Sequence, residues 1–258
     1  MTRIGLIADI HVVPGREEDV YDHLEAVLDR LSGVDHLVIM GDMVGSGSTG
    51  TYQESSGRDR ALLGQVVDRV EAASPPATYL LGNHDVVSLA SEEVADIIDQ
   101  EPFGRFDVGG EDAIVLDTSA PHVHGSRGEV TEGQLDFLAE TLPELQDALL
   151  FTHHPIHYHN VEDNVWWDVY PERAFCGNKK EINHLIDQHG GVQAVFNAHL
   201  HEHDHTWFKG LDHVTVEPFS RKEPGDGPTG AHAVADIGDD GIAVTMRDLE
   251  DDIIEYEL

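Results

Sequence analysis

Five short polar motifs occur in a fixed order along the chain, and each one follows a run of apolar residues. The motifs are Asp9-Ile10-His11, Gly41-Asp42, Gly82-Asn83-His84-Asp85, His153-His154-Pro155 and His199-Leu200-His201. In α/β folds, side chains that bind ligands lie just beyond the carboxyl ends of strands. The motifs therefore favour a fold that brings five strand ends together. Their nitrogen and oxygen atoms suffice to hold two metal ions side by side, an arrangement typical of phosphate-ester hydrolysis.

The periodicity between the motifs predicts β–α alternation first and hairpins later. Helices are predicted over residues 17–31, 59–73, 91–100, 131–142 and 179–188, with Ser91 and Thr131 as N-caps. Strands are predicted at 4–8, 37–40, 78–81, 105–108, 113–117, 148–152, 193–196, 206–209, 214–216, 231–235 and 242–246. This mixed order predicts an α/β fold, a four-layer α-β-β-α sandwich of two mixed β-sheets flanked by helices.

The length of 258 residues fits one large domain, and no linker-like stretch divides it. We therefore expect a single domain over residues 1–258. A Gly/Ser/Thr-rich stretch at 45–57 is predicted to be a loop. Residues from about 155 to 178 lack periodicity and contain Trp166 and Trp167, which indicates a long functional loop or lid inserted into the domain.

The formal net charge is −35, from 50 acidic and 15 basic residues, of which four are lysines. Such an acidic chain is typical of adaptation to molar salt, as in a haloarchaeal cytoplasm, and an acidic mesophilic protein is the alternative. No basic patch is available for nucleic acid. The longest apolar runs are too short for a bilayer and no signal peptide is evident, so a cytoplasmic protein without membrane contact is expected.

The ordered motifs resemble those of the calcineurin-like metallophosphoesterase superfamily over residues 3 to about 217. By this resemblance, the ligands of one metal are Asp9, His11, Asp42 and His201. The ligands of the other are Asp42, Asn83, His153 and His199, so that Asp42 bridges both. The resemblance implies two divalent or trivalent ions as cofactors. Mn²⁺ is expected, with Fe, Zn, Co or Ni as alternatives, because imidazole and carboxylate suit these metals.

The resemblance also implies that a metal-bridging hydroxide attacks phosphorus. His84 is implied as a catalytic residue that faces the phosphate, stabilises charge or protonates the leaving oxygen. Asp85 is expected to orient His84 through a hydrogen bond, with a turn or N-cap role as the alternative.

Several residues near the motifs keep two interpretations. His154 either touches substrate or packs, and Trp166 and Trp167 either stack on a nucleobase or fix the lid to the core. The histidines that extend the two His-rich motifs are assigned to solvated loops or to a third metal: His157, His159, His203 and His205. Three scarce cations either contact a substrate phosphate or pair with local acids: Arg127, Arg173 and Arg221.

Two positions depart from the family pattern. Ala198 stands where a glycine usually precedes the last His-x-His motif, and a methyl group there is expected to affect geometry rather than ligand identity. Gly45 stands where an acid or asparagine often follows the Gly-Asp motif, so one outer partner of the site is missing.

The predicted function is hydrolysis of a small phosphorylated substrate, a phosphodiester or pyrophosphate of the cyclic-nucleotide or nucleotide-diphosphate type. The resemblance within the superfamily is to cyclic-nucleotide phosphodiesterases and ADP-ribose/CDP-alcohol pyrophosphatases. A phosphomonoesterase is the alternative from the same chemistry. A non-catalytic metal-binding scaffold is the alternative from another class, and the intact ligand set argues against it. The sequence predicts no oligomeric state.

Overall fold

The computed structural model describes residues 1–45, 52–119, 127–220, 225 and 227–258. Its strands are β1 (Thr2–Ile7), β2 (His36–Ile39), β3 (Ala77–Tyr79), β4 (Gly104–Val108), β5 (Glu111–Leu116), β6 (Ala148–Thr152), β7 (Val192–Asn197), β8 (Asp204–Phe208), β9 (Leu211–Thr215), β10 (His232–Gly238), β11 (Gly241–Arg247) and β12 (Ile253–Glu257). Its α-helices are α1 (Glu17–Arg30), α2 (Tyr52–Ala72), α3 (Ser91–Ile98), α4 (Glu132–Thr141) and α5 (Lys179–His189). None of the described helices is both long and apolar enough to cross a bilayer.

The strands form two mixed six-stranded sheets. The first has the order β12-β11-β10-β1-β2-β3, in which β1, β2 and β3 are parallel neighbours. The second has the order β4-β5-β6-β7-β9-β8, in which β5, β6, β7 and β9 are parallel. The carboxyl ends of β1, β2 and β3 therefore lie together at one edge of their sheet, as do those of β6 and β7.

The two sheets pack face to face, and helices cover both outer faces. Ile4 and Leu6 point from β1 into the layer between the sheets, where they meet Phe151 and Phe196 from the second sheet. Ile7 points the other way, as strand alternation requires, and packs under α1, α2 and α3. Helices α4 and α5 cover the second sheet. The predicted four-layer sandwich is confirmed.

Three local predictions need correction. Residues 52–57, predicted as part of the loop at 45–57, form the first turns of α2, and residues 46–51 of that loop lie outside the described residues. Ser91 is the first helical residue rather than the N-cap, because Ala90 takes the cap position and its amide donates to the Glu93 side chain at 3.0 Å. Strand β12 was not predicted, since only two of its five residues are partly buried at the sheet edge. The Thr131 cap is confirmed.

The lid segment, residues 155–178, is irregular as predicted. All of its residues are described, and its one helical element is a 3₁₀ turn at Pro171–Arg173. Asn164 holds it to the body of the protein, because the Asn164 Nδ2 donates to the Leu200 carbonyl at 2.9 Å. The lid segment thereby reaches the loop that follows β7.

Candidate metal centre

All five motifs meet at one end of the sandwich. Three of them follow β1, β2 and β3 in the first sheet, and two follow β6 and β7 in the second. The loops contact each other directly, since the Asp9 amide donates to the Gly41 carbonyl at 3.2 Å and the Ala198 amide donates to the His153 carbonyl at 3.0 Å. The predicted convergence of five strand ends is therefore present.

Asp9, His11 and His201 form the first group of ligand atoms. The Nε2 atoms of His11 and His201 lie 3.0 Å apart. Asp9 Oδ1 lies 3.9 Å from His11 Nε2 and 3.8 Å from His201 Nε2. Ligand atoms around one metal ion are separated by similar distances, about 3–4 Å for bonds of about 2.0–2.2 Å. The three side chains fit a single ion.

Asp42 connects this group to a second one. Its Oδ2 lies 3.6 Å from His11 Nε2 and 3.4 Å from His153 Nε2. Its Oδ1 accepts a hydrogen bond from the His84 amide at 2.7 Å, which fixes the carboxylate in place. Asp42 thus faces ligand nitrogens on both sides, as a bridging ligand must.

The second group contains His153, His199 and Asn83. His153 Nδ1 donates to the Met40 carbonyl at 2.8 Å, so that Nε2 is the ring nitrogen that faces Asp42. His199 Nε2 lies 3.1 Å from the Arg173 carbonyl, and that donor bond leaves Nδ1 as the ligand nitrogen. The rings of His153 and His199 are 5.1 Å apart. Backbone carbonyls therefore set the orientation of both imidazoles.

Buried atoms without partners show that the pocket fits cations. Asp9 Oδ1, Asn83 Oδ1 and His153 Nε2 are buried and have no hydrogen-bond partner within the described part of the chain. Buried polar atoms are normally satisfied, and an unsatisfied one costs about 1–3 kcal/mol. All three atoms belong to predicted ligands, so the donor set is suited to hold two metal ions.

The acid–base properties of the pocket agree with a metal site. Burial raises the pKa of Asp9 from 3.8 to about 7. Burial acts to lower the pKa of His153, but the Asp42 carboxylate outweighs it and raises the value to about 9. Burial also acts to raise the pKa of Asp42, yet the imidazoles around it hold that pKa well below its ordinary value. Burial lowers the pKa of His11 and His199, which keeps them in the neutral form that binds metal.

Left-handed backbone is concentrated at the predicted ligands. Those with positive φ are Asp9, His11, Asp42, His199 and His201, at 54°, 50°, 51°, 71° and 56°. Non-glycine residues rarely adopt this region, which costs about 1–2 kcal/mol each. Such strain persists only where the surrounding structure holds it, commonly at functional sites.

Glycine before two of the ligands is explained by close packing of the motif loops. A Cβ atom on Gly82 would lie 2.1 Å from Asp42 Oδ1. A Cβ atom on Gly41, where φ is 89°, would lie 2.7 Å from the Gly82 amide nitrogen and 2.8 Å from His153 Nδ1. A side chain at Gly82 would displace the Asp42 carboxylate, and one at Gly41 would displace the His153 ring or the Gly82 backbone.

His84 and Asp85 lie at the same junction. The His84 ring is 4.8 Å from the His11 ring, edge to face, so it borders the first group. Asp85 is fully buried, and its two oxygens accept hydrogen bonds from the amides of Gly82 and Val44 at 2.9 and 3.1 Å. Asp85 therefore ties together the loops after β2 and β3. Its orientation of His84 stays a prediction.

His154 is packed into the site rather than exposed beside it. Its ring is fully buried, 4.1 Å from the His199 ring. The Thr118 hydroxyl accepts from the His154 amide at 3.0 Å and lies 2.9 Å from its Nδ1. Sequence reasoning missed Thr118, because no spacing links it to a partner 36 positions away. The His154 ring is packed within the site, and its contact with substrate stays a prediction.

Both lid tryptophans lie against histidines that are predicted metal ligands. The Trp166 ring is 5.0 Å from that of His201, and the Trp167 ring is 4.4 Å from that of His199. Trp167 also packs against a small apolar cluster that includes Phe175 and Leu200. Trp167 therefore fixes the lid segment to the core.

The two departures from the family pattern are accommodated. Ala198 is fully buried between the sheets. At Gly45, a Cβ atom would lie 2.5 Å from Val13 Cγ1, so the loop after β1 occupies the space of a larger side chain.

Of the three scarce cations, Arg173 has its guanidinium over the Tyr170 ring at 4.6 Å, Arg127 is exposed, and Arg221 lies outside the described residues.

Comparison with known proteins identifies the family. The model of the calcineurin-like phosphoesterases matches residues 2–203, more than three quarters of the chain. The chain belongs to the calcineurin-like phosphoesterase family. Membership and the donor set together support a metal-dependent phosphoesterase with a binuclear metal site.

Solved structures share the fold of this phosphoesterase over 84–100% of its length. A dimetal phosphatase from Danio rerio has 17% identity and a TM-score of 0.72, with 99% of this chain and 98% of that one covered. The anchor in the inner membrane complex of Plasmodium has 12% identity and a TM-score of 0.62, covering 100% and 88%. Phosphopantetheinyl hydrolase from Mycobacterium tuberculosis has 12% identity and a TM-score of 0.51, covering 84% and 90%. A search of curated proteins gave no match.

Proposed function

We propose that this phosphoesterase hydrolyses a small phosphodiester or pyrophosphate substrate, such as a cyclic nucleotide or a nucleotide diphosphate derivative. The observation that carries the proposal is the lid segment, which lies directly against the metal ligands. The rings of Trp166 and Trp167 lie 5.0 and 4.4 Å from those of His201 and His199, in tilted contacts. An indole in this position, beside the proposed metal ligands, provides a surface on which a nucleobase stacks.

The side chains of the site have two roles in catalysis, which are metal binding and proton transfer. Asp9, His11, Asp42 and His201 would hold one ion, and Asp42, Asn83, His153 and His199 would hold the other. When bound, the two ions supply Lewis acidity and an activated water. His84, beside the first group, donates a hydrogen bond to a phosphate oxygen and delivers a proton to the leaving oxygen.

Two further groups position that machinery. Asp85 holds the Gly82 and Val44 amides and so fixes the loop that carries Asn83 and His84. Thr118 holds the His154 backbone and lies beside its Nδ1, which fixes the His154 ring beside His199, where we propose that it contacts bound substrate. We propose Mn²⁺ as the metal, because this oxygen- and imidazole-rich donor set lacks thiolates.

A phosphomonoesterase is the second candidate. The Danio rerio protein that shares the fold at a TM-score of 0.72 is a dimetal phosphatase. A scaffold role is the third, since the Plasmodium protein with the same fold is an anchor. The buried ligand set with its left-handed backbone favours catalysis over a scaffold. Such backbone strain lowers stability, and a protein that only binds partners through its surface does not need it.

The deciding experiment compares two model substrates with Mn²⁺-loaded protein. We expect a higher kcat/KM for bis-p-nitrophenyl phosphate than for p-nitrophenyl phosphate. His84→Ala is expected to lower diester turnover by about 100- to 10,000-fold, the usual contribution of a general acid. His184→Ala, an exposed position on α5, is the matched control. Preference for the monoester would establish the second candidate, and no turnover of either would favour the scaffold.

We also propose a halophilic, cytoplasmic protein that functions as one domain over residues 1–258. The net charge of −35 supports this setting, since molar salt screens repulsion between surface carboxylates. The calcineurin-like sandwich, which uses strands from Thr2 to Glu257, supports the single domain.

A further inference from the structure

A second group of ligand-type side chains lies on the same two loops that carry His153 and His201. We call it the peripheral cluster; its members are His157, His159, Glu202 and Asp204. The two histidines stand at the start of the lid segment, and the two acids lie between β7 and the first residue of β8. None of the four belongs to the binuclear centre described above.

The donor atoms of the peripheral cluster converge. His159 Nδ1 lies 3.2 Å from Asp204 Oδ2, and His157 Nε2 lies 3.8 Å from the same oxygen. One donor atom from each of these three residues lies within 4.8 Å of the others. Around a tetrahedral Zn²⁺ with bonds of about 2.0–2.1 Å, neighbouring ligand atoms lie about 3.3 Å apart. Small adjustments of side chains would complete such a shell.

No hydrogen bond within the described part of the chain accounts for the buried ring of His157. It is fully buried, and neither ring nitrogen has a hydrogen-bond partner among the described residues. Its ring lies 4.7 Å from that of His213, which is equally buried and equally without partners in the described chain. An imidazole in an apolar setting normally satisfies at least one nitrogen. His157 Nε2, directed at Asp204, is an unused ligand atom.

Glu202 completes the arrangement from outside. Its Oε1 lies 3.0 Å from His159 Nε2, the ring nitrogen opposite to the one that faces Asp204. A carboxylate on the outer nitrogen of a ligand histidine is the usual device that fixes the tautomer and orients the ring toward metal. His159 and Asp204 are each 19% exposed, so the cluster also has an open side through which an ion enters.

We propose that the peripheral cluster is a third, mononuclear metal site that takes Zn²⁺ or a similar divalent transition ion. His157 Nε2, His159 Nδ1 and Asp204 Oδ2 are the ligands, Glu202 is the positioning carboxylate, and water completes the shell. The bound ion joins the loop after β6 to the loop after β7. It thereby holds the base of the lid segment in register with the binuclear centre.

Metal content tests the proposal directly. Protein stripped with EDTA is reloaded with excess Zn²⁺, desalted and analysed for zinc per chain. We expect three ions in the wild type, two in Asp204→Asn and three in Asp240→Asn, an exposed turn position that serves as the charge-matched control. The competing account is a protonated His159 held between two carboxylates. Equal zinc content in the wild type and Asp204→Asn would establish that account and overturn the third site.

Two further variants distinguish loss of the third site from misfolding and from failure of the proposed function. His159→Gln keeps a hydrogen-bonding side chain and is expected to lose the same single ion, with an unchanged circular dichroism spectrum. Asp42→Asn removes the bridge of the binuclear centre and is expected to retain one ion, in the peripheral cluster. Zinc-free Asp42→Asn would contradict the third site, and this readout does not depend on turnover of any substrate.

Discussion

At the scale of single residues, the centre combines strained backbone with oriented imidazoles. The types of the ligands were predictable, because carboxylates and histidines recur after apolar runs. Their orientation was not, since the carbonyls of Met40 and Arg173 that fix His153 and His199 come from distant segments. A backbone carbonyl has no signature in a sequence. The left-handed φ at Asp9 and His11 is equally invisible there, because neither residue type requires it.

The ion pair between His153 and Asp42 gives a prediction for the metal-free protein. The pKa of His153 rises from 6.5 to about 9 in the folded state. Its contribution to stability is therefore present below pH 6.5 and is lost as the pH rises through 9. We expect the thermal unfolding midpoint of EDTA-treated protein to fall between pH 7 and 9. Metal-loaded protein should lack this fall, because its ligand histidine is already deprotonated.

A second histidine, His159, affects the same measurement of unfolding against pH. The carboxylates of Asp204 and Glu202 raise the pKa of His159 to about 9 as well, which adds the same sign in the same window. The experiment is therefore made in His159→Gln, and His153→Gln in that background is the comparison. A midpoint that falls equally in both proteins would contradict the assignment to His153.

At the scale of elements, the sandwich followed from the order of strands and helices. The prediction of a loop at 45–57 was partly wrong, because residues 52–57 belong to α2. These residues carry few apolar side chains, so they lack the helical periodicity that would have indicated the start of α2. The irregularity of the lid segment was predictable from its missing periodicity. Where it packs was not, because its anchors, such as Asn164 on the Leu200 carbonyl, are long-range contacts.

Variants of the two lid tryptophans should have different effects, because Trp167 packs the lid segment and Trp166 is proposed to bind substrate. Trp167 packs on His199, Phe175 and Leu200, so Trp167→Ala is expected to lower stability by about 1–3 kcal/mol, less than a fully buried aromatic loses. Trp166→Ala is expected to leave the unfolding midpoint nearly unchanged. It should raise KM for a nucleotide diester about 5- to 30-fold, as loss of base stacking of about 1–2 kcal/mol implies.

The model substrate provides the control for Trp166. Bis-p-nitrophenyl phosphate has no nucleobase, so its KM should change much less than that of the nucleotide. Equal KM changes for both substrates would contradict base stacking by Trp166. Unchanged stability of Trp167→Ala would contradict its role in fixing the lid segment.

At the scale of the whole molecule, charge is the dominant property. With 50 acidic and 15 basic residues, carboxylate repulsion opposes the compact state at low salt. The Debye length falls from about 8 Å at 0.15 M to about 3 Å at 1 M salt. We expect the unfolding midpoint to rise steadily with KCl over that range. In a variant carrying Asp239→Asn, Asp240→Asn and Glu250→Gln, the unfolding midpoint should rise less with salt. A wild-type midpoint that does not change with KCl would contradict halophilic adaptation.

The measurement that tests the central claim most directly is a joint assay of metal content and diester turnover in Asp42→Asn. Its charge-matched control is Asp22→Asn, an exposed position on α1. If Asp42 Oδ2 is shared by two ions, the amide should cost the protein both ions of the centre and more than about 100-fold in turnover, beyond what outer partners of a metal site contribute. The control should match the wild type in both respects. Full metal content and full turnover in Asp42→Asn would contradict a binuclear centre bridged by this carboxylate.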